Sequence, residues 1–194
     1  MPACAQCHGA GGQGMAAAGF PELAGQNANY LAKQLSDYAA GRRANPVMSP
    51  IAKALDPAAM QSVAAYYQAL VAPPKSSVAQ AQAVVAATAG ASSPNASVDV
   101  SLGARLAQRG DWDHDIPACF ACHGDAGGGI GAHFPRIAGQ NRAYTERQLN
   151  DWKNNVRAND PQGLMKAVAD RLSDAEISAV AVYLERLPSK PSKP

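Results

Sequence analysis

Cys4-Ala5-Gln6-Cys7-His8-Gly9 and Cys119-Phe120-Ala121-Cys122-His123-Gly124 are the two stretches that decide the fold. Together they use all four cysteines of the chain. A C-x-x-C pair alone reads as a redox dithiol, half of a zinc site or a disulfide. Zinc would let the two pairs build one Cys₄ site, but that leaves the His after each pair unexplained. Thioether attachment of haem explains it. On a helical turn Cys4 and Cys7 stand at i and i+3 on one face, so they can reach the two vinyl positions along one porphyrin edge. His8 follows at i+4 from Cys4, where its imidazole can swing to the iron. Cys119, Cys122 and His123 repeat the arrangement.

Working outward from the motifs, the chain repeats itself. Phe20-Pro21-Glu22-Leu23-Ala24-Gly25-Gln26-Asn27 matches Phe134-Pro135-Arg136-Ile137-Ala138-Gly139-Gln140-Asn141. Tyr30 then matches Tyr144, Gln34-Leu35 matches Gln148-Leu149, and Tyr38 corresponds to Trp152. Arg43-Ala44-Asn45 matches Arg157-Ala158-Asn159. After a short insertion in the second copy, Met48 meets Met165, Leu55 meets Leu172, Tyr66 meets Tyr183 and Leu70 meets Leu187. Two copies of one small domain account for this, over residues 1–72 and 101–188. Residues 73–100 carry linker composition, with Pro73-Pro74, Ser76-Ser77 and Ser92-Ser93-Pro94. Val78 to Ala89 is compatible with a short helix, and residues 189–194 read as a disordered tail.

The elements within each copy are helical. Asn27 to Ala40 puts Tyr30, Leu31, Gln34, Leu35 and Tyr38 on one stripe, with Gly41 suited to the C-terminal cap. Asp56-Pro57 offers an N-cap and a proline at N1. Ser173 with Glu176 forms a capping box ahead of the apolar stripe Ile177, Val180, Leu184 and Leu187. Ser101 to Arg109 predicts a helix before the second motif, with Ser101 as N-cap. No alternating strand pattern is present, so the fold class is all-α. The first copy starts level with Ile116 and has no counterpart of that leading helix. The expectation is a shortened N-terminus, and a first domain that is the less stable of the two or borrows a partner.

Haem iron held by one His has a sixth position, and filling it makes an electron carrier. The candidates are Met1, Met15, Met48, Met60, Met165, His114 and His133. Only Met48 and Met165 occupy equivalent places, 40 and 42 residues after His8 and His123, and both lie in loop-like sequence. Met15 and Met60 align with Ile130 and Ile177 and read as packing residues. His133 reads as a surface-loop residue. His114, among Asp111, Asp113 and Asp115, reads as a solvated turn residue. An axial His needs its other ring nitrogen anchored, and the loop after each motif offers the carbonyls of Pro21 and Pro135; the alternative is that these prolines only stiffen a turn. Arg43 and Arg157 could pair with haem propionates, and Tyr30, Tyr144, Tyr38 and Trp152 could hydrogen-bond to them.

With paired Cys-x-x-Cys-His-Gly motifs, the duplicated Pro-x-(Leu/Ile)-Ala-Gly-Gln-x-x-x-Tyr-x-x-x-Gln-Leu pattern and a Met before each last helix, the chain resembles the dihaem cytochromes c4. The resemblance covers nearly everything outside the linker and tail. It implies two class I cytochrome c domains facing each other across a pseudo-twofold, with propionates near the interface. It also implies His/Met-ligated haems c and a periplasmic electron carrier. The expected partners are a quinol-oxidising complex or dehydrogenase as donor and a terminal oxidase as acceptor. The rival readings are an electron-accepting subunit of a sulfide or thiosulfate dehydrogenase, a peroxidase, and a structural zinc module. Residues 1–25 lack a basic start and an apolar run, so an export signal is expected to have been removed or never included in this sequence, and periplasmic placement rests on the thioether chemistry.

Composition agrees with this reading. Of 194 residues, 47% are apolar but only 6% aromatic, which leaves the chain short of large core side chains. A porphyrin in each copy would supply the missing apolar bulk, so the apoprotein is not expected to fold stably. The formal charge is +2 and both halves are near neutral, so nucleic-acid binding has no electrostatic footprint. Four ionised propionates would move that charge to about −2.

Overall fold

The computed structural model describes residues 2–71 and 98–189. Its helices are α1 (Pro2–His8), α2 (Ala28–Ala39), α3 (Met48–Lys53), α4 (Pro57–Ala69), α5 (Val100–Arg109), α6 (Cys119–His123), α7 (Arg142–Lys153), α8 (Leu164–Arg171) and α9 (Asp174–Arg186), with short 3-10 turns between them. Among the described residues the only β pairing is four isolated bridges, including Arg43 with Arg157. The expected helix over Val78–Ala89 lies outside the described residues. So does the expected tail beyond Ser189, whose hydroxyl hydrogen-bonds Glu22 at 3.2 Å.

Local chemistry sets the helix ends. The Asn27 side chain caps α2 by accepting from the Tyr30 amide at 3.2 Å, and Gly41 beyond its end takes a φ of +76°. Asp56 caps α4 through the Ala59 amide at 2.7 Å, with Pro57 at the first helical position. Ser173 and Glu176 form the capping box of α9. Two expectations are corrected. The cap of α5 is Asp99, not Ser101: its carboxylate accepts from the amides of Ser101 and Leu102, a double acceptance that one hydroxyl does not match. Met48 and Met165 lie in the first turns of α3 and α8, not in loops. Asn45 accepts from the Met48 amide at 2.8 Å and Asp160 from the Met165 amide at 2.8 Å, so each Met backbone is held by the short polar side chain that starts its turn.

The two domains pack unequally. In the second, α5 crosses α9 at Gly103, where a Cβ would lie 2.1 Å from the Ala179 carbonyl oxygen. Its core joins Leu106, Ile116, Leu149, Trp152, Leu172, Ile177, Val180 and Leu184. The core of the first is smaller: Leu31, Ala32, Val63, Ala64 and Tyr67. Tyr183 is covered by α5 and bonded to Gln108 at 2.7 Å, whereas its counterpart Tyr66 is 42% exposed.

The domains meet across a pseudo-twofold axis. Gln26 donates to the Arg136 carbonyl and accepts from the Arg136 amide, both at 2.9 Å. Gln140 does the same to the backbone of Glu22, at 3.0 and 2.9 Å. Arg136 and Glu22 form a buried ion pair at 2.8 Å. On the far side of the interface Asp37 receives hydrogen bonds from Lys33, from Arg42 at 2.8 Å and from Asn159 of the other domain at 2.6 Å.

Two outcomes follow from this packing. Gly103→Ala forces α5 off α9 and should cost the second domain about 1–3 kcal/mol, measured by chemical denaturation; unchanged stability would contradict the close crossing. The second concerns acid. Burial opposes the charged form of Asp37, but hydrogen bonds from Lys33, Asn159 and Arg42 outweigh it and hold the carboxyl below its usual value. A carboxyl depressed in the folded state contributes stability above its unfolded pKa of about 4 and loses it as pH falls through the folded value. Melting temperature should therefore drop below pH about 4 more steeply in wild type than in Asp37→Asn.

Candidate functional site

Each motif closes a short helix on a histidine. α1 and α6 carry their cysteine pairs at i and i+3 and end at His8 and His123, where Gly9 and Gly124 turn the chain with φ of +79° and +77°. Cys4, Cys7 and Cys119 are half-buried and Cys122 is exposed, and none of the four is paired in a disulfide. Burial pushes the Cys119 thiol up to about 11. Among the described residues no three His, Cys, Asp or Glu side chains gather as a metal-holding group.

The histidines are buried, at 6% and 7% exposure. His8 Nδ1 lies 3.0 Å from the Pro21 carbonyl, and His123 Nδ1 lies 2.8 Å from the Pro135 carbonyl. A carbonyl only accepts, so the proton sits on Nδ1 and the Nε2 lone pair is left free for a metal. Burial lowers the pKa of both imidazoles, against the smaller opposing effect of the proline carbonyls, and keeps them neutral. The loops that carry the carbonyls are fastened alike. Leu23 and Ala24 amides donate to Gly12, and Ile137 and Ala138 amides donate to Gly127.

A cavity of about 1070 Å³ runs through both domains. Its wall includes Cys4, Cys7, His8, Pro21, Tyr30, Arg43 and Met48 from the first copy, and Cys119, Cys122, His123, Pro135, Tyr144, Arg157 and Met165 from the second. Tyr38 and Trp152 line it too, and exposed His133 stands on its edge. His114 is a solvated turn residue, 3.2 Å from Asp111. Met60 is buried in packing, but Met15 is 44% exposed: its backbone pairs with Phe20 and turns the side chain outward, as at Ile130.

The cavity wall asks for anions where the domains meet. Arg43 and Arg157 are each only 5% exposed. Arg43 donates to Gln34 at 2.8 Å, to Tyr144 at 2.9 Å and to Gln148. Arg157 donates to Gln148 at 2.8 Å and Asn159 at 2.9 Å, with longer bonds to Gln34 and Tyr30. Among the described residues neither guanidinium has a carboxylate partner. Arg43 stacks on Tyr38 and Arg157 on Trp152, 4.7 and 3.9 Å from the ring centres. Burial opposes ionisation of Tyr144, yet the two guanidiniums outweigh it and hold the phenol below its ordinary value. Trp152 Nε1 is buried with no hydrogen-bond partner among the described residues. Uncompensated buried cations and an orphaned N–H are costly, and the carboxylates of a tetrapyrrole would relieve both. The residues present fit the group.

Sequence reasoning missed the polar side chains that link these arginines. Gln34 and Gln148 are bonded by arginines of both domains, and Asn159 bonds across the interface to Asp37. The signal was a glutamine kept in both copies on an otherwise apolar helical stripe. Glu22 and Arg136 were also missed, although they are the only charged position in the repeated Phe-Pro segment and carry opposite signs.

Comparisons with known proteins agree with the geometry. The family model "Cytochrome c" matches residues 1–86 and 100–188. A thiosulfate dehydrogenase electron acceptor from Stutzerimonas stutzeri is 46% identical over 188 residues, covering 97% of this chain and 80% of that protein. Cytochrome c4 from Pseudomonas stutzeri, in a reduced recombinant crystal structure, superposes with a TM-score of 0.78 at 31% identity, covering 95% of this chain and 93% of that one. Thiosulfate dehydrogenase (TsdBA) from Marichromatium purpuratum superposes with a TM-score of 0.81 at 41% identity; the match covers 95% of this chain but 36% of that longer one. With two tandem domains, two covalent haem c groups and redox proteins for partners, this chain belongs to the cytochrome c family as a dihaem, cytochrome c4-like electron-transfer protein.

Proposed function

We propose that residues 1–72 and 101–188 each hold one haem, through thioethers to Cys4 and Cys7 and to Cys119 and Cys122. His8 with Met48, and His123 with Met165, would hold the iron of each haem. Bound haem supplies a one-electron Fe(III)/Fe(II) couple. The single observation that carries this reading is the pair of buried imidazoles, each fixed by a proline carbonyl with Nε2 free, on a cavity that the equivalent cysteines and methionines share. The carbonyls of Pro21 and Pro135 hold the imidazoles oriented, with the proton on Nδ1. Arg43 and Arg157, with Tyr30 and Tyr144, bind the propionates and neutralise them out of water. The thioether sulfurs of Met48 and Met165, whose backbones Asn45 and Asp160 hold at helix starts, would bind the iron and keep exogenous ligands out.

We further propose a periplasmic carrier whose donor is a thiosulfate-oxidising dehydrogenase. Oxidation of a closed-shell sulfur anion removes electrons in pairs, and two one-electron sites take up one pair. The similarity to an electron acceptor of such an enzyme, at 46% identity, supports this donor over a quinol-oxidising complex. A terminal oxidase remains the proposed acceptor. Among the described residues no helix is long and apolar enough to cross a membrane.

Met48→Ala and Met165→Ala should each abolish the Met–iron charge-transfer absorption of one haem and lower that haem's potential, read by spectroelectrochemistry. Retention of the full band in either variant would remove that ligand from the assignment. In stopped flow, the oxidised protein should take up electrons from a thiosulfate dehydrogenase only when thiosulfate is present. Absence of haem reduction, with intact absorption bands, would exclude the donor while leaving the ligands standing.

A further inference from the structure

The interface is built from two copies of one surface. Gln26 clamps the backbone of Arg136 as its repeat counterpart Gln140 clamps the backbone of Glu22. In such an isologous arrangement residue i meets j and j meets i, and a position meets its own counterpart only beside the axis. Glu22 and Arg136 are counterparts in the repeat, and they touch at 2.8 Å. They therefore sit beside the axis, where any pairing of two like domains would set Glu against Glu or Arg against Arg.

Burial makes that choice severe. The side chains of Arg136 and Glu22 are 2% and 1% exposed. Arg136 also donates to the Ala24 carbonyl at 2.7 Å, so the guanidinium reaches well into the other domain. A buried ion pair is not a strong source of stability in itself, because desolvation offsets the attraction, and here Arg136 Nε has no hydrogen-bond partner among the described residues. What the pair provides is discrimination, since like charges buried together are repelled while unlike ones are satisfied.

We propose that Glu22 and Arg136 form a charge lock that makes this surface select the unlike domain, so that each first domain takes a second domain as its partner and rejects another first domain. The Gln26 and Gln140 clamps that flank the pair are symmetric and would accept either. The lock thereby directs the chain to close on its own two halves, with Arg43 and Arg157 brought together, rather than to associate with other copies through like domains. The inference is independent of which ligands hold the haems.

The test uses charge reversal in the full haem-loaded chain. Glu22→Arg and Arg136→Glu should each open the domain pair, seen as a larger radius of gyration in X-ray scattering and a closed population reduced by about a hundredfold or more. Reversing both together should restore the wild-type radius. Mixed one to one, the two single variants should form heterodimers by exchanging domains, because each supplies the charge the other lacks; neither should do so alone. Circular dichroism distinguishes opened from unfolded chains. Single variants that stay closed, a double reversal as open as the singles, or a mixture no more dimeric than its components would each overturn the proposal.

Discussion

Two guanidinium groups, those of Arg43 and Arg157, lie side by side out of water where the domains join, and no carboxylate of the described chain answers them. A buried cation without a counter-charge is not tolerated unless something else supplies the negative charge. That constraint ties the structure together. Each arginine stacks on an aromatic ring of its own domain and donates to side chains of both, so cavity, interface and ligand charge are one problem. The same site pulls the Tyr144 phenol below its ordinary value despite burial, a measure of how positive the junction is.

The histidines line the same cavity and follow a different logic. Their position comes from a short helix stopped by a glycine. Their orientation comes from a proline carbonyl, and their neutrality from burial. Each is a local device, repeated in both domains with nearly the same distances. The junction is shared and the histidine-anchoring devices are duplicated, which suits a protein with two haems.

The duplication is not complete. The second domain has α5 laid across α9 through Gly103, and the first leaves Tyr66 exposed at the corresponding place. At the interface, Asn27 caps its own helix, whereas the Asn141 side chain instead reaches across to the Phe20 carbonyl. Equal sequence positions have thus taken unequal tasks, because each domain's surroundings differ once the two are docked.

The sequence signals for the candidate site are local or periodic, and the residues they named line one cavity. The spacing within Cys4 to His8 and Cys119 to His123 is covalent chemistry written on one helical turn. Comparison of the two copies singled out Met48 and Met165 from the other methionines, and capping residues marked most helix starts. The tertiary structure decided what depends on docking. It showed that both methionines begin helices, that Asp99 displaces Ser101 as a cap, and that Gln34 and Gln148 are shared by arginines of both domains. It also showed that Glu22 faces Arg136. These contacts join residues far apart along the chain, where neither propensity nor periodicity carries information. By itself the sequence determined the two haem-attachment motifs and the repeat that makes each domain the other's counterpart. Only the folded pair determined how the charges of two half-sites are balanced, because that balance exists only once water is excluded from between them.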